Sequence, residues 1–188
     1  MSDLYGIPSQ QLLNQLERHE GFRARPYLCT AGACTIGYGT NLDAHPQYID
    51  DPELRRQVMV GKLRGSHLMA ALLQQGVSWD RDRARAALLD EVIACRESLF
   101  LRCPQFRRLA ESGDIARAEA LLNMAFNLGV DGLLKFRATL GLIDSAMNGG
   151  SWLLVEGGLR NSRWWSQVGR RAVELGRQFV TGEYAEDF

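Results

Sequence analysis

Leu12, Leu13 and Leu16 form one apolar stripe, preceded by Pro8-Ser9 and followed by Gly21. The spacing predicts an amphipathic helix with Ser9 as N-cap and Gly21 as its left-handed stop. From Pro26 to Leu42 the helical period vanishes. Tyr27-Leu28-Cys29, a turn at Thr30-Ala31-Gly32, and Cys34-Thr35-Ile36 predict a small β-hairpin. Gly37 and Gly39 beyond it permit close backbone approach. Residues 44–77 carry a mixed pattern with breaks at His45-Pro46 and Asp51-Pro52, room for a further strand or a short helix.

After residue 78 the pattern is helical. Asp80 or Ser78 caps a long helix bearing Leu88, Val92, Cys95 and Leu99, which Cys103-Pro104 ends. Asp114 caps another, whose Ala118, Leu121, Leu122, Ala125 and Leu128 predict full burial before Gly129 stops it. Shorter helices are expected near 134–147 and 152–158, separated by Asn148-Gly149-Gly150, and a last one from Val168 to Phe179. The sum is an α+β architecture. A mixed N-terminal lobe (about 1–79) with a β-hairpin is joined by a linking helix (about 80–102) to an all-helical lobe (about 103–188).

The 188 residues suffice for a substantial core, and 22 basic residues balance 22 acidic ones. That balance argues against a nucleic-acid partner. Arg160 to Arg177 is locally different, with five Arg against Glu174, and reads either as a basic face for an acidic polymer or as a solvated helix face. No run has the length and apolarity of a membrane span. The start, MSDLYGIPSQQ, lacks the pattern of a secretory signal, so accumulation in the cytoplasm is expected. Cys29, Cys34, Cys95 and Cys103 lack metal-site spacing and are expected as free thiols. His19, His45 and His67 likewise show no ligand spacing; neither metal nor cofactor is expected.

Candidate chemistry concentrates in His19-Glu20-Gly21-Phe22 and the following Thr35-Ile36-Gly37-Tyr38-Gly39. Glu20 falls in the last turn of the first helix, at the negative end of its dipole, which disfavours ionisation and suits a proton donor. The run HEGFRARPYLCTAGACTIGYGTNL resembles the active-site hairpin of phage-type lysozymes, glycoside hydrolase family 24. ALLNMAFNLGVDGLLKF resembles that family's central helix and turn, and NSRWWSQVGRRA its Arg-Trp segment before the last helix.

The resemblance implies a lysozyme-like fold and hydrolysis of the β-1,4 bond between N-acetylmuramic acid and N-acetylglucosamine in peptidoglycan. It puts Glu20 in the place of the catalytic acid, Cys29 where the family has Asp, and Thr35 beside them, with Arg171 orienting Glu20. Asn41, Phe126 and Thr139 fall at family positions lining the sugar cleft. Trp164 and Trp165 read as sugar platforms or as packing residues. Thr40 stands where relatives often carry His, so the ion pair known there is absent. The implied context is a monomeric phage or prophage endolysin, without stable membrane insertion. It would lie in the host cytoplasm before lysis and then reach the periplasm and wall through a separate holin-type pore.

Cys29 keeps alternatives open. A thiolate can act as base or nucleophile, whereas a neutral thiol does little for an oxocarbenium ion. A lytic transglycosylase needs only one Glu. A cysteine amidase would pair Cys29 with His45 or His67, but such nucleophiles favour helix N-termini. A wall-binding module that no longer cuts is the non-enzymatic alternative.

Overall fold

The computed structural model describes residues 8–184. They fall into two compact units, one spanning Leu13–Glu91 and the other comprising the remaining described residues. The architecture is α+β, mostly helical with one small antiparallel sheet.

In the Leu13–Glu91 unit, α1 (Gln10–Glu20) enters from the N-terminal side; Ser9 caps it, its Oγ accepting from the Leu12 N–H at 3.1 Å. The chain then forms β1 (Arg23–Leu28), β2 (Cys34–Gly37) and a two-residue β3 (Thr40–Asn41), paired in the order β1-β2-β3. Tyr27 lies opposite Thr35, and Thr35 opposite Asn41. The hairpin expected from sequence is thus extended by a third strand too short to leave a periodic signal.

Residues 44–77 hold no strand. They form a 3-10 turn at Pro46–Tyr48 and two helices, α2 (Pro52–Met59) and α3 (Gly65–Gln74). Asp51-Pro52, expected as a break, is a helix start: Asp51 accepts from the Leu54 N–H at 2.8 Å, and Pro52 takes the first helical position. Leu13, Leu16, Ile36, Leu42, Ile49, Leu68, Leu72 and Trp79 are buried in this unit. The Trp79 N–H donates to the Ala24 carbonyl at 2.8 Å, tying the approach to the next helix onto β1.

That helix, α4 (Arg81–Arg102), is capped by Asp80 rather than Ser78 and contributes its first half to this unit and its second half to the other. The second unit continues with α5 (Pro104–Glu111), α6 (Ile115–Leu128), a single turn α7 (Val130–Leu133), α8 (Arg137–Met147), α9 (Trp152–Arg160), α10 (Arg163–Val168) and α11 (Arg170–Thr181). Phe106, Leu121, Met124, Ile143, Val155, Leu159, Leu175 and Phe179 make its core.

Two expectations change here. Pro104 opens α5 as well as ending α4, because proline suits a first helical turn. Leu128, at the last position of α6, is half-buried rather than fully so. The last helix, expected over Val168–Phe179, is α11, and the short α10 before it, ending at Gly169 with φ 53°, was not expected. Asp114 caps α6 as expected. Among the described residues no helix is long and apolar enough to cross a membrane.

A buried polar cluster closes the second unit. Glu119 accepts from the Ser9 N–H at 2.8 Å, from the Ser9 hydroxyl and from the Tyr184 hydroxyl.

Candidate active site

Glu20 is the last residue of α1, and the chain must reverse immediately after it to enter β1. Its carboxylate lies over the Cα of Gly39: a methyl group there would stand 3.6 Å from Glu20 Oε2. The strand pairing brings Gly39 to that place, since β2 ends at Gly37 and β3 begins at Thr40. Tyr38, between them, is buried and anchored. Its hydroxyl donates to Glu17 at 3.3 Å and accepts from Arg81 at 3.1 Å. Arg85 pairs with the same Glu17. The acid therefore sits on a helix whose last turn is fixed by an Arg-Glu-Tyr network.

Cys29 opens the hairpin turn, its N–H donating to the Ala33 carbonyl at 3.0 Å while Gly32 N–H donates to the Cys29 carbonyl at 2.8 Å. The half-exposed thiol is held below its ordinary range, chiefly by the Ala33 backbone N–H and further by the Ala31 N–H and the Thr35 hydroxyl. Thr35 is buried, its hydroxyl 3.1 Å from the Ala33 carbonyl. Tyr27 shares this environment: burial raises its phenol above the ordinary range, Arg23 opposes, and the charges of Cys29 and Glu20 add to the rise.

The other three thiols are different. Burial pushes Cys34 up to about 12 and Cys95 up to about 11, and raises Cys103. All four are free.

Glu91, on α4, is a carboxyl that the sequence motifs did not single out. Its Oε1 is buried without a hydrogen-bond partner. Burial raises its pKa; the Thr40 hydroxyl and His45 oppose the rise, while the charges of Glu20 and Asp90 reinforce it. Nothing in the local pattern around Glu91 marks it, because its partners come from β3 and the following loop.

Asn41 lies on β3, its side-chain oxygen accepting from Asp43 N–H at 3.0 Å and Ala44 N–H at 3.2 Å. It lines a concave pocket of about 480 Å³ with Ala31, Ala33, Asp43, Arg64 and Ser66. The structure thus gathers Glu20, Cys29, Thr35 and Asn41 on one sheet and its flanks.

Phe126, Thr139 and Arg171 belong to the helical unit: Phe126 is half-buried on α6, while Thr139 and Arg171 are buried on α8 and α11. Trp164 is buried with its Nε1 donating to Asn127 at 2.8 Å, and Trp165 packs so closely on α11 that a methyl at Gly176 would lie 3.0 Å from its ring. Both are packing residues. The arginine-rich segment does not make a continuous cationic face. Arg171 is buried, Arg170 pairs with Glu174 at 2.7 Å, and Arg160 pairs with Glu156 at 2.8 Å. Among the described residues no cluster of three or more His, Cys, Asp or Glu side chains has the arrangement of a metal site.

Comparison with known proteins gives two findings. The sequence model of the family described as Phage lysozyme matches residues 17–174. The chain is also 26% identical over 175 residues to the pre-baseplate central spike protein Gp5 of Enterobacteria phage T4. That alignment covers 93% of this chain and 28% of the relative, so the chain corresponds to about a quarter of that protein's length.

Proposed function

Since the chain belongs to the phage lysozyme family, we propose that it is a peptidoglycan muramidase, cleaving the β-1,4 bond between N-acetylmuramic acid and N-acetylglucosamine with Glu20 as proton donor and a Cys29 thiolate in place of a second carboxylate. The observation that carries this reading is the place of Cys29, half-exposed at the opening of the hairpin turn that its backbone N–H closes onto the Ala33 carbonyl, where the Ala33 backbone above all holds its thiol below the ordinary range. Backbone donors aimed at a thiol favour its anion, which supplies the negative charge a neutral thiol lacks.

Glu20 gives its proton to the bridging oxygen as the bond from that oxygen to the anomeric carbon breaks. Water bonds to the anomeric carbon while the Cys29 thiolate takes its proton, and solvent exchange then resets both groups. Thr35 is a positioning residue, its buried hydroxyl donating to the Ala33 carbonyl in the turn that carries Cys29. In the cell, we assign this activity to wall degradation at lysis, after accumulation in the host cytoplasm and passage through a separate pore.

Digestion of purified peptidoglycan by wild type, Glu20→Gln, Cys29→Ser and Cys29→Asp, with products identified by mass, tests the proposal. Reducing ends are expected from wild type and Cys29→Asp and are lost in the other two. Anhydro-muramic ends indifferent to Cys29 would instead make the chain a transglycosylase, and a wild type that releases nothing would leave it a wall-binding module.

A further inference from the structure

The chain as a whole is electrically balanced, but one segment of it is not. From Leu54 to Trp79 it carries Arg55, Arg56, Lys62 and Arg64 and not one Asp or Glu, which leaves the remainder of the chain net acidic. Two of these cations are occupied. The Arg55 Nε donates to the Ile49 carbonyl at 2.8 Å, and Arg56 pairs with Glu53 at 2.6 Å. Lys62 and Arg64 are exposed and, among the described residues, take part in no ion pair or side-chain hydrogen bond. Glu53 feels the charge of Lys62, but its oxygens are taken by Arg56 and Gln57. Asp43 lines a pocket with Arg64, but its oxygens accept from the Cys34 and Gly65 N–H groups.

The turn that bears these two cations also exposes apolar side chains. Helix α2 stops at Gly61, whose φ is 73°; the Gly61 N–H donates to the Val58 carbonyl and the Lys62 N–H to the Gln57 carbonyl, both at 2.9 Å. Val58 is buried and anchors the helix, while Met59 and Val60 beside it are 70% and 55% exposed. The Arg64 guanidinium returns over the turn, 3.9 Å from where a methyl on Gly61 would stand. Met59, Val60, Lys62 and Arg64 therefore share one tip. Single exposed apolar residues are ordinary on a protein surface. An adjacent apolar pair set between cations, in a segment without acid, has a more particular use. A soluble polyanion needs only the cations. The boundary between headgroups and acyl chains of an anionic bilayer takes both, with phosphates against Lys and Arg and the apolar pair just beneath.

We propose that the turn between α2 and α3 is a peripheral contact for an anionic lipid bilayer, with Lys62 and Arg64 on the phosphates and Met59 and Val60 in the boundary layer. The contact stays at the surface, since no helix among the described residues is long and apolar enough to cross. Because the chain's total charge is balanced, the attraction is local to this tip and weakens with salt. It requires no bond cleavage and so stands apart from the muramidase reading.

Co-sedimentation with vesicles of equal parts phosphatidylglycerol and phosphatidylcholine, against vesicles of phosphatidylcholine alone, tests it. Wild type at low salt is expected to bind the anionic vesicles about tenfold more tightly or better. Lys62→Gln with Arg64→Gln is expected to lower that affinity by about tenfold or more, each cation near the surface contributing roughly fivefold. Met59→Ser with Val60→Ser is expected to lower it by about tenfold as well. Lys135→Gln with Arg137→Gln removes two exposed cations from the helical unit and should stay within about twofold of wild type. A second measurement needs no variant: a spin-labelled headgroup should broaden the wild-type amide signals of residues 59–64 most. Equal affinity for the two vesicles, a control that loses as much as the Lys62 and Arg64 variant, or broadening centred elsewhere overturns the inference. Binding that depends on the cations but not on Met59 and Val60 also overturns it, and makes the turn a site for soluble acidic polymers.

Discussion

Replacing Gly37 with alanine tests how tightly the β1–β2 hairpin is seated. Gly37 ends β2 with φ 67°, a left-handed conformation that costs a residue bearing a Cβ about 1–2 kcal/mol. The same methyl would stand 2.9 Å from Ala84 Cβ on α4 and 3.1 Å from the Trp79 ring. Neither is the yielding end of a flexible chain, so the repacking adds about 1–3 kcal/mol. Alanine restricts the unfolded chain and returns about 0.4–1 kcal/mol. The expected net loss is roughly 2–4 kcal/mol. Gly21→Ala is the control. Its φ is 69° but nothing lies within 4 Å of the added methyl, so it incurs the backbone cost alone. Urea denaturation followed by tryptophan fluorescence, to which Trp79 at the substituted site contributes, measures both. A Gly37→Ala loss within about 0.5 kcal/mol of the Gly21→Ala loss, well under the repacking cost, would refute the argument that close approach to α4 and Trp79 seats this strand.

Two further outcomes follow from the titrating groups. Burial lifts Glu91 above the ordinary carboxylate range, so the folded state gains from its protonated form below the unfolded pKa and loses that advantage as pH rises through the folded one. Glu91→Gln, uncharged throughout, should therefore gain on wild type between pH 4 and pH 8, by about 1–3 kcal/mol if the unpartnered oxygen sets the scale; a pH-independent gap in urea midpoints would contradict this. Iodoacetamide at pH 7.5 should alkylate Cys29 at least about tenfold faster than Cys34, Cys95 or Cys103, because the thiolate is the reacting form; peptide mapping that found Cys34 or Cys95 modified first would refute the environment described for the turn.

Local signals carried much of this structure. Ser9 and Gly21 bounded the first helix, the turn at residues 30–32 divided the hairpin, and the motif placed Glu20 at the end of α1, Cys29 in the turn after β1 and Thr35 on β2. Proline was the residue most easily misjudged. Pro52 and Pro104 each look like a break, yet each occupies a first helical turn, where its missing N–H costs nothing. The helix α10 escaped notice because its six residues before Gly169 are too few to show an apolar period of their own. Glu91, Tyr27 and Arg64 escaped notice for another reason. What makes each of them noteworthy is supplied by a different element: β3 for the buried carboxyl, α1 and the turn for the phenol, and the hairpin that faces the cation across the pocket.

The cluster at Glu119 bears on the order in which the molecule can be completed during synthesis. The sheet is a meander whose strands pair with their neighbours in sequence, and Asp43 reaches only nine and twenty-two residues for its partners. Such contacts close small loops and form early. Ser9 instead meets Glu119 across 110 residues, and the Tyr184 hydroxyl reaches the same carboxylate from 65 residues further on. On a ribosome adding about 5–20 residues per second, the hairpin with Cys29 can therefore be in place several seconds before the first turn of α1 gains its last partner. The nascent chain assembles the turn that carries Cys29 well before it assembles the clasp that holds its N-terminal helix.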